Sequence, residues 1–403
     1  MNSKQSFTQR WLEAQRAVTE LPEPDAEARA HSLRLTELIR QRILAADGAI
    51  PFHEFMQLAL HAPGLGYYSG GSRKFGEAGD FITAPETSPL FARCLARAIQ
   101  PVLASLPQAQ LLEVGAGSGI MAAGILQELT TLHSTPDSYT ILELSADLKQ
   151  RQGETLQQYA EVVSWLDNLP DNFTGIVLAN ELFDAMPVHR VVWHQGELHE
   201  CYVAWEMDRF VWQLGPLCDA RLQERFETIL AHVGELPDGY VTEINLAAED
   251  WIKTVGEQLQ QGMLLLIDYG FSRHEFYHSQ RRQGTLMCHY RHRAHDDPLI
   301  LVGLQDITAH VDFTAIADSA LEADLRIAGY TTQALFLLGS GLTELVQPSG
   351  NDANAVQQLE LANQIKRLTL PQEMGELFKV MALTKNQQVS MPGFSLRDLR
   401  NSL

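Results

Sequence analysis

Between residues 106 and 180, short apolar runs alternate with segments of helix length, and no other property of the chain narrows its fold as far. "AQLLEVGA", "YTILEL", "EVVSWL" and "GIVLAN" read as strands, while "GIMAAGILQELTTL" and "SADLKQRQGETLQQYA" between them read as helices. A strand covered on both faces is apolar throughout, and parallel neighbours must be joined through a crossover of helix length. The expected class is therefore α/β, a parallel sheet with helices on both faces.

The rhythm breaks after residue 189. "HRVVWHQGELHECYVAWEMDRFVWQL" alternates polar and apolar residues, with turns expected at Gln195-Gly196 and Met207-Asp208, so it reads as an antiparallel meander. A helix in "ARLQERFETILAHV", a strand in "GYVTEIN" and a helix in "LAAEDWIKTVGEQLQ" complete an insertion over residues 190–260. "GMLLLIDYG" resumes the buried strands, and two more are expected around "ALFLLG" and "LFKVMALTK", giving about seven in the main sheet.

Ahead of the sheet, residues 1–105 read as helices and loops. "HSLRLTELIRQRILAADG" and "PFHEFMQLALHAP" are helical, "GLGYYSGGSRKFGEAGDFITAPETSP" is glycine-rich and irregular, and a helix runs from about Leu90 to Leu103. The expected organisation is a helical N-terminal region with a substrate or cofactor loop (1–105), a nucleotide-type core (106–189), the insertion (190–260) and the rest of the core (261–403).

With 403 residues, 45% of them hydrophobic, the chain can bury a large core. The 50 acidic against 30 basic residues leave a net charge of −20, which opposes non-specific nucleic-acid binding and favours cationic ligands. No run of 18 apolar residues suggests a membrane span. The first 32 residues lack an apolar signal core and carry five acids between Glu13 and Glu27. Cys94, Cys201, Cys218 and Cys288 form no CxxC pair, so free thiols and a cytoplasmic location are expected.

"LLEVGAGSGI" sets Gly115, Gly117 and Gly119 at a strand-to-helix turn, where the backbone must turn tightly and admit a ligand closely. A dinucleotide fingerprint counted from Gly115 needs glycine at 120, and Ile120 stands there. The spacing present, with Glu113 inside the strand, resembles the S-adenosylmethionine loop of class I methyltransferases. Glu143, at the tip of the next strand, suits two ribose hydroxyls and would equally suit a nicotinamide dinucleotide. Asp167, after the third strand, is a candidate for an adenine amino group or the start of a turn, with Trp165 and Leu166 as apolar walls.

"GIVLANELFDAMPVHR" ends a buried strand in Asn180, Glu181 and Asp184. Metal site, acid/base pair, seat for a cation and solvated loop all remain open at this level. Asp268 ends the resumed strand "LLLIDYGF" in an equivalent position, as an acceptor-site carboxylate or a bond to the loop backbone. "CHYRHRAHDD" offers Cys288, His289, His292 and His295, but no standard zinc spacing, and Arg291 and Arg293 would oppose a cation. It is expected to be a mobile loop touching substrate, and no metal is expected.

"GDFITAPETSPLFARCLA", "LLEVGAGSG", "YTILELSADLKQRQ", "LANELFDAMPVHR", "IDYGF" and "GTLMCHYRHRAHDDPL" through "GLQDITAHVDF" together resemble the MidA-like methyltransferases. That group includes a mitochondrial complex I assembly factor that methylates arginine. The resemblance runs from about Pro51 to Asn386 and implies a class I methyltransferase fold, S-adenosylmethionine as donor and a protein arginine as acceptor. It adds Gly79, Asp80 and Phe81 to the donor pocket beside Gly115, Gly117 and Glu143.

On that reading Glu181 orients the acceptor guanidinium, Asn180 lies near the methionine part of the donor, and Asp184 supports either; the N-terminal region and the insertion wall the acceptor cleft. The implied partner is a protein with an accessible arginine, such as a respiratory-complex subunit, and a homodimer is left open. The rivals are a cofactor-holding assembly factor without essential turnover and, against Ile120, a nicotinamide-dependent oxidoreductase.

Overall fold

The computed structural model describes residues 21–70, 83–347 and 355–403. They divide into two compact units. The first takes the described residues of Met1–Phe81 with Asp184–Ala248 and Arg273–His310; the second takes those of Ile82–Phe183, Glu249–Ser272 and Val311–Leu403.

The second unit is built on the expected sheet. Gln110–Val114 pairs in parallel with Ser138–Leu142 on one side and Phe173–Asn180 on the other; Val163–Leu166 and Leu259–Phe271 extend it outward, again in parallel. Phe378–Lys385 lies antiparallel to Leu259–Phe271 and pairs antiparallel with Arg326–Thr332 at the far edge. Taken in chain order, these seven strands lie across the sheet as 3-2-1-4-5-7-6, with Val311–Asp312 as a short addition beside the fifth. The order reverses between the first strand and the fourth. Ligands of open α/β sheets bind at that point, outside the carboxyl ends of the strands.

Burial explains the continuous apolar runs. In Leu259–Phe271, Met263 through Ile267 are all buried, and Ile176 through Ala179 match them on the neighbouring strand. Helices Pro89–Leu103 and Ile120–Thr131 join the same core. The first of these starts where Ser88 caps the amide of Leu90 at 3.2 Å and a proline fills the first helical position.

One strand lies elsewhere than expected. "ALFLLG" falls in a helix, Gln333–Gly339, and the sheet strand is the preceding Arg326–Thr332. A short apolar run cannot declare its own period. Here Thr332 decides, because its hydroxyl accepts from the Leu335 amide at 3.5 Å and opens a helix after the strand.

The first unit holds a five-stranded antiparallel sheet. Its path is Ala49–Pro51, Glu197–Glu206, His189–His194 and Tyr240–Ile244, with Arg209–Gly215 also paired to Glu197–Glu206. The expected meander is present, and both its turns carry positive φ at two residues, Gln195 and Gly196, then Met207 and Asp208. The N-terminal stretch is not all helix and loop, since Ala49–Pro51 adds a strand to this sheet. Helices Ala26–Ala45 and Phe52–His61 close its core through Leu35, Ile39, Phe52 and Phe55.

"CHYRHRAHDD" is likewise not a loop. Met287–Tyr290 and Arg293–His295 form a hairpin that pairs further with Asp306–Thr308. Its turn residues, Arg291 and His292, both have positive φ, a conformation that no glycine or asparagine advertises here.

Candidate active site

The glycine loop follows directly from strand Gln110–Val114. Gly115, Gly117 and Gly119 all have positive φ, and the Gly115 amide continues the sheet by donating to the Leu142 carbonyl at 3.0 Å. Gly119 caps helix Ile120–Thr131 at φ 81°; a Cβ there would meet the Cα of Gln152 at 3.4 Å as well as straining the backbone. Ser118 Oγ donates to Glu86 Oε1 at 2.5 Å, tying the loop to the short helix Ala84–Thr87.

Register places the other candidates beside this loop. Val114 pairs with Leu142 on one side and Ala179 on the other, so Glu143 and Asn180 are the next residues on the flanking strands. Strands lie about 4.8 Å apart, so these two stand roughly 10 Å from each other with Gly115 between them.

Glu143 is buried, and its carboxylate is held at both oxygens. Oε1 accepts from the Ser145 amide at 2.9 Å and Oε2 from Gln152 Nε2 at 3.0 Å. Burial raises its pKa, against the pull of these bonds and of Lys149. A carboxylate offers about four lone-pair sites, so acceptor capacity remains for a further donor such as a hydroxyl.

Gln152 had no signal in the sequence. It is the one buried residue of helix Ala146–Thr155, and its amide nitrogen also donates to the Gly117 carbonyl at 3.0 Å. Its oxygen accepts from Trp165 Nε1 at 2.8 Å, so one side chain joins three strand tips. Asp167, by contrast, is exposed and bound to Lys149 Nζ at 2.5 Å.

Glu113 lies inside the first strand, fully buried, and accepts from the Tyr139 hydroxyl at 2.5 Å. Burial pushes its carboxyl from 4.5 to about 7, the Tyr139 bond opposing the shift. The charge-neutral form is favoured there, which suits a residue bracing the loop from below.

At the tip of the fourth strand the backbone is strained. Glu181 has φ 49°, a left-handed conformation uncommon for a non-glycine residue, and its amide is held by the Ile267 carbonyl at 2.9 Å. Its carboxylate accepts from Asn180 Nδ2 at 3.3 Å. Asn180 Oδ1 is buried and meets no donor among the described residues.

Asp268 is fully buried and accepts from two backbone amides, Phe183 and Tyr269, each at 2.9 Å. It therefore holds both the segment after Glu181 and the exit of its own strand. Asp184 falls in the other unit, since the chain passes between units after Phe183; it is buried, and its carbonyl accepts from the Ala309 amide at 2.9 Å. Gly79, Asp80 and Phe81 lie outside the described residues.

The chain is similar to known proteins over most of its length. Residues 94–331 match the family model "Putative S-adenosyl-L-methionine-dependent methyltransferase". The mouse "Protein arginine methyltransferase NDUFAF7, mitochondrial" is 30% identical over 402 residues, covering 89% of this chain and 87% of its own. The Drosophila melanogaster homologue is 27% identical over 90% of this chain and 88% of its own. A crystal structure of a protein from Burkholderia thailandensis bound to S-adenosyl-homocysteine superposes with TM-score 0.90 at 43% identity, covering 95% of this chain and 100% of that one.

Proposed function

The chain belongs to the S-adenosyl-L-methionine-dependent methyltransferase family matched over residues 94–331, and from that premise we propose that it methylates arginine side chains of a protein substrate. S-adenosyl-L-methionine is the cofactor, and the arrangement at the strand tips fits it: Glu143 keeps acceptor capacity for ribose hydroxyls, and the buried Asn180 Oδ1 waits for a donor such as an α-ammonium. The glycine loop admits the chain of the ligand between them.

Bound S-adenosyl-L-methionine supplies a sulfonium methyl, whose S–C bond breaks as an N–C bond forms, leaving a neutral thioether. The protein must present a nitrogen in line, which is largely a matter of positioning. Guanidinium resists this role because it is charged and its lone pairs are delocalised. A carboxylate bonded to the two other nitrogens fixes the plane, draws positive charge away from the attacking nitrogen, and accepts the proton released after transfer.

Glu181 is assigned that carboxylate, and its backbone carries the reading. A glutamate held at φ 49° at the end of a central strand, beside the orphaned Asn180 oxygen, is strain kept where ligands meet. Asp268 is assigned the positioning of this segment through the Phe183 amide. The arginine acceptor rests on the names of the relatives, and the resemblance to the assembly-factor group makes a respiratory-complex subunit the first acceptor to examine.

The test is to incubate the purified protein with labelled S-adenosyl-L-methionine and extracts of cells that lack it, then identify modified peptides by mass spectrometry. Methylarginine on a small set of proteins is expected, absent with Glu181→Gln. Methylation of another residue type would overturn the arginine assignment, and donor binding without any transfer would favour the assembly-factor role.

A further inference from the structure

His53, His189, Glu200 and Cys218 come from four separate segments of the first unit, yet each offers one ligand atom to a group whose members all lie within 4.8 Å of one another. His53 stands on helix Phe52–His61, His189 opens strand His189–His194, Glu200 is in strand Glu197–Glu206, and Cys218 follows Arg209–Gly215. We propose that these four side chains form a binding site for a divalent transition metal, zinc by preference, that pins the helix, the sheet and the loop together.

The spacings support a tetrahedral set. Zinc bonds of roughly 2.0–2.3 Å imply ligand-to-ligand edges of about 3.3–3.6 Å. Here Glu200 Oε1 lies 2.8 Å from His189 Nδ1, 3.4 Å from Cys218 Sγ and 3.9 Å from His53 Nδ1, and Cys218 Sγ lies 3.7 Å from His189 Nδ1. The edges scatter around the required length, so a small adjustment would admit an ion.

The surroundings point the same way. His53 Nδ1 is buried and meets no hydrogen-bond partner among the described residues, the 3.9 Å to Glu200 being too long for one. Glu200 is fully buried, and its second oxygen is fixed by the Cys218 amide at 2.7 Å, the kind of outer bond that orients a ligating carboxylate. Two imidazoles, a carboxylate and a thiol suit zinc better than magnesium or calcium, which prefer oxygen alone. Four protein ligands close the coordination sphere, the mark of a structural site. The exposed Cys218 and the part-exposed His53 give the ion a way in.

The sequence concealed this site because its members span residues 53 to 218 with no paired spacing. The histidines singled out instead, around Cys288, form no such group among the described residues.

The full-length protein, stripped with chelator and then loaded with zinc, tests the site. We expect one equivalent retained through gel filtration, a higher unfolding temperature, and X-ray absorption showing one sulfur and three nitrogen or oxygen neighbours. Cys218→Ser and His53→Ala should each weaken zinc binding at least about tenfold, the lower end of what even outer-shell partners contribute. His199→Ala, on the same strand as Glu200, should bind like the parent. Failure to retain zinc, retention undiminished in folded Cys218→Ser and His53→Ala, or a zinc shell without sulfur would each overturn the proposal. The absorption measurement needs no variant, so it decides the matter even if a variant does not fold.

Discussion

The side-chain amide of Gln152 donates to Glu143 Oε2 at 3.0 Å. The same nitrogen reaches the Gly117 carbonyl, so the Glu143 carboxylate and the glycine loop share one support. Gln152→Ala should weaken S-adenosyl-L-methionine binding about tenfold, from loss of one to two kcal/mol of hydrogen bonding. Gln152→Glu should weaken it further by setting a second acid against Glu143. Calorimetry reads both, and parental affinity in the alanine variant would remove Gln152 from the site.

Glu143→Gln preserves shape and removes charge. Charge-assisted bonds to two hydroxyls are at stake, about 1.5–3 kcal/mol, so the dissociation constant should rise on the order of 10- to 100-fold. The melting temperature without cofactor should fall, because the new amide nitrogen faces one of two donors, the Ser145 amide or Gln152 Nε2, that the carboxylate accepted from. An unchanged dissociation constant would place the ribose elsewhere.

Two substitutions at Glu181 separate strain from chemistry. Glu181→Gln should bind the donor almost as the parent does and lose turnover by at least about a hundredfold. Glu181→Gly should also lose turnover while gaining up to about 1 kcal/mol of stability, since glycine adopts φ 49° without strain. Denaturant melts and a methyl-transfer assay check the pair; full activity in either variant would exclude the carboxylate from transfer.

Stability should fall with pH because of Glu113. Burial raises its folded pKa from 4.5 to about 7, so over that interval the unfolded chain gives up a proton that the folded chain keeps. The contribution is fully present below 4.5 and is lost as pH rises through about 7, in total about 3 kcal/mol. Glu113→Gln should flatten the dependence while still accepting from Tyr139. Melting curves on either side of the window, with and without the substitution, would show no difference in slope if Glu113 were ordinary.

Asp268→Asn leaves one acceptor where two amides converge. One of Phe183 N–H and Tyr269 N–H must then go unsatisfied, costing about 1–3 kcal/mol. Hydrogen exchange at those two amides should accelerate ahead of the rest of the sheet; equal protection in variant and parent would argue against this role.

Much of the second unit was legible beforehand because its signals are local. The buried strands announce themselves as apolar runs, and the loop as glycines required by positive φ at 115, 117 and 119. Gln195-Gly196 was readable as a turn for the same reason, whereas Arg291-His292 adopts the same positive φ through residues that give no hint of it. "ALFLLG" was misread because six residues hold too little of either period, and the capping bond at Thr332 became visible only in three dimensions.

The chain by itself determined the class of sheet, the glycine loop after its first strand and the acids at the strand tips. Each depends on the chemistry of a few consecutive residues: hydrophobic period, backbone freedom, charge beside an apolar run. Tertiary structure alone decided that Gln152 braces Glu143, that Asp268 holds the Phe183 and Tyr269 amides, and that His53 meets His189, Glu200 and Cys218. Those encounters depend on which strands pair and in what register, a long-range outcome of burying two separate cores that no short window of sequence records.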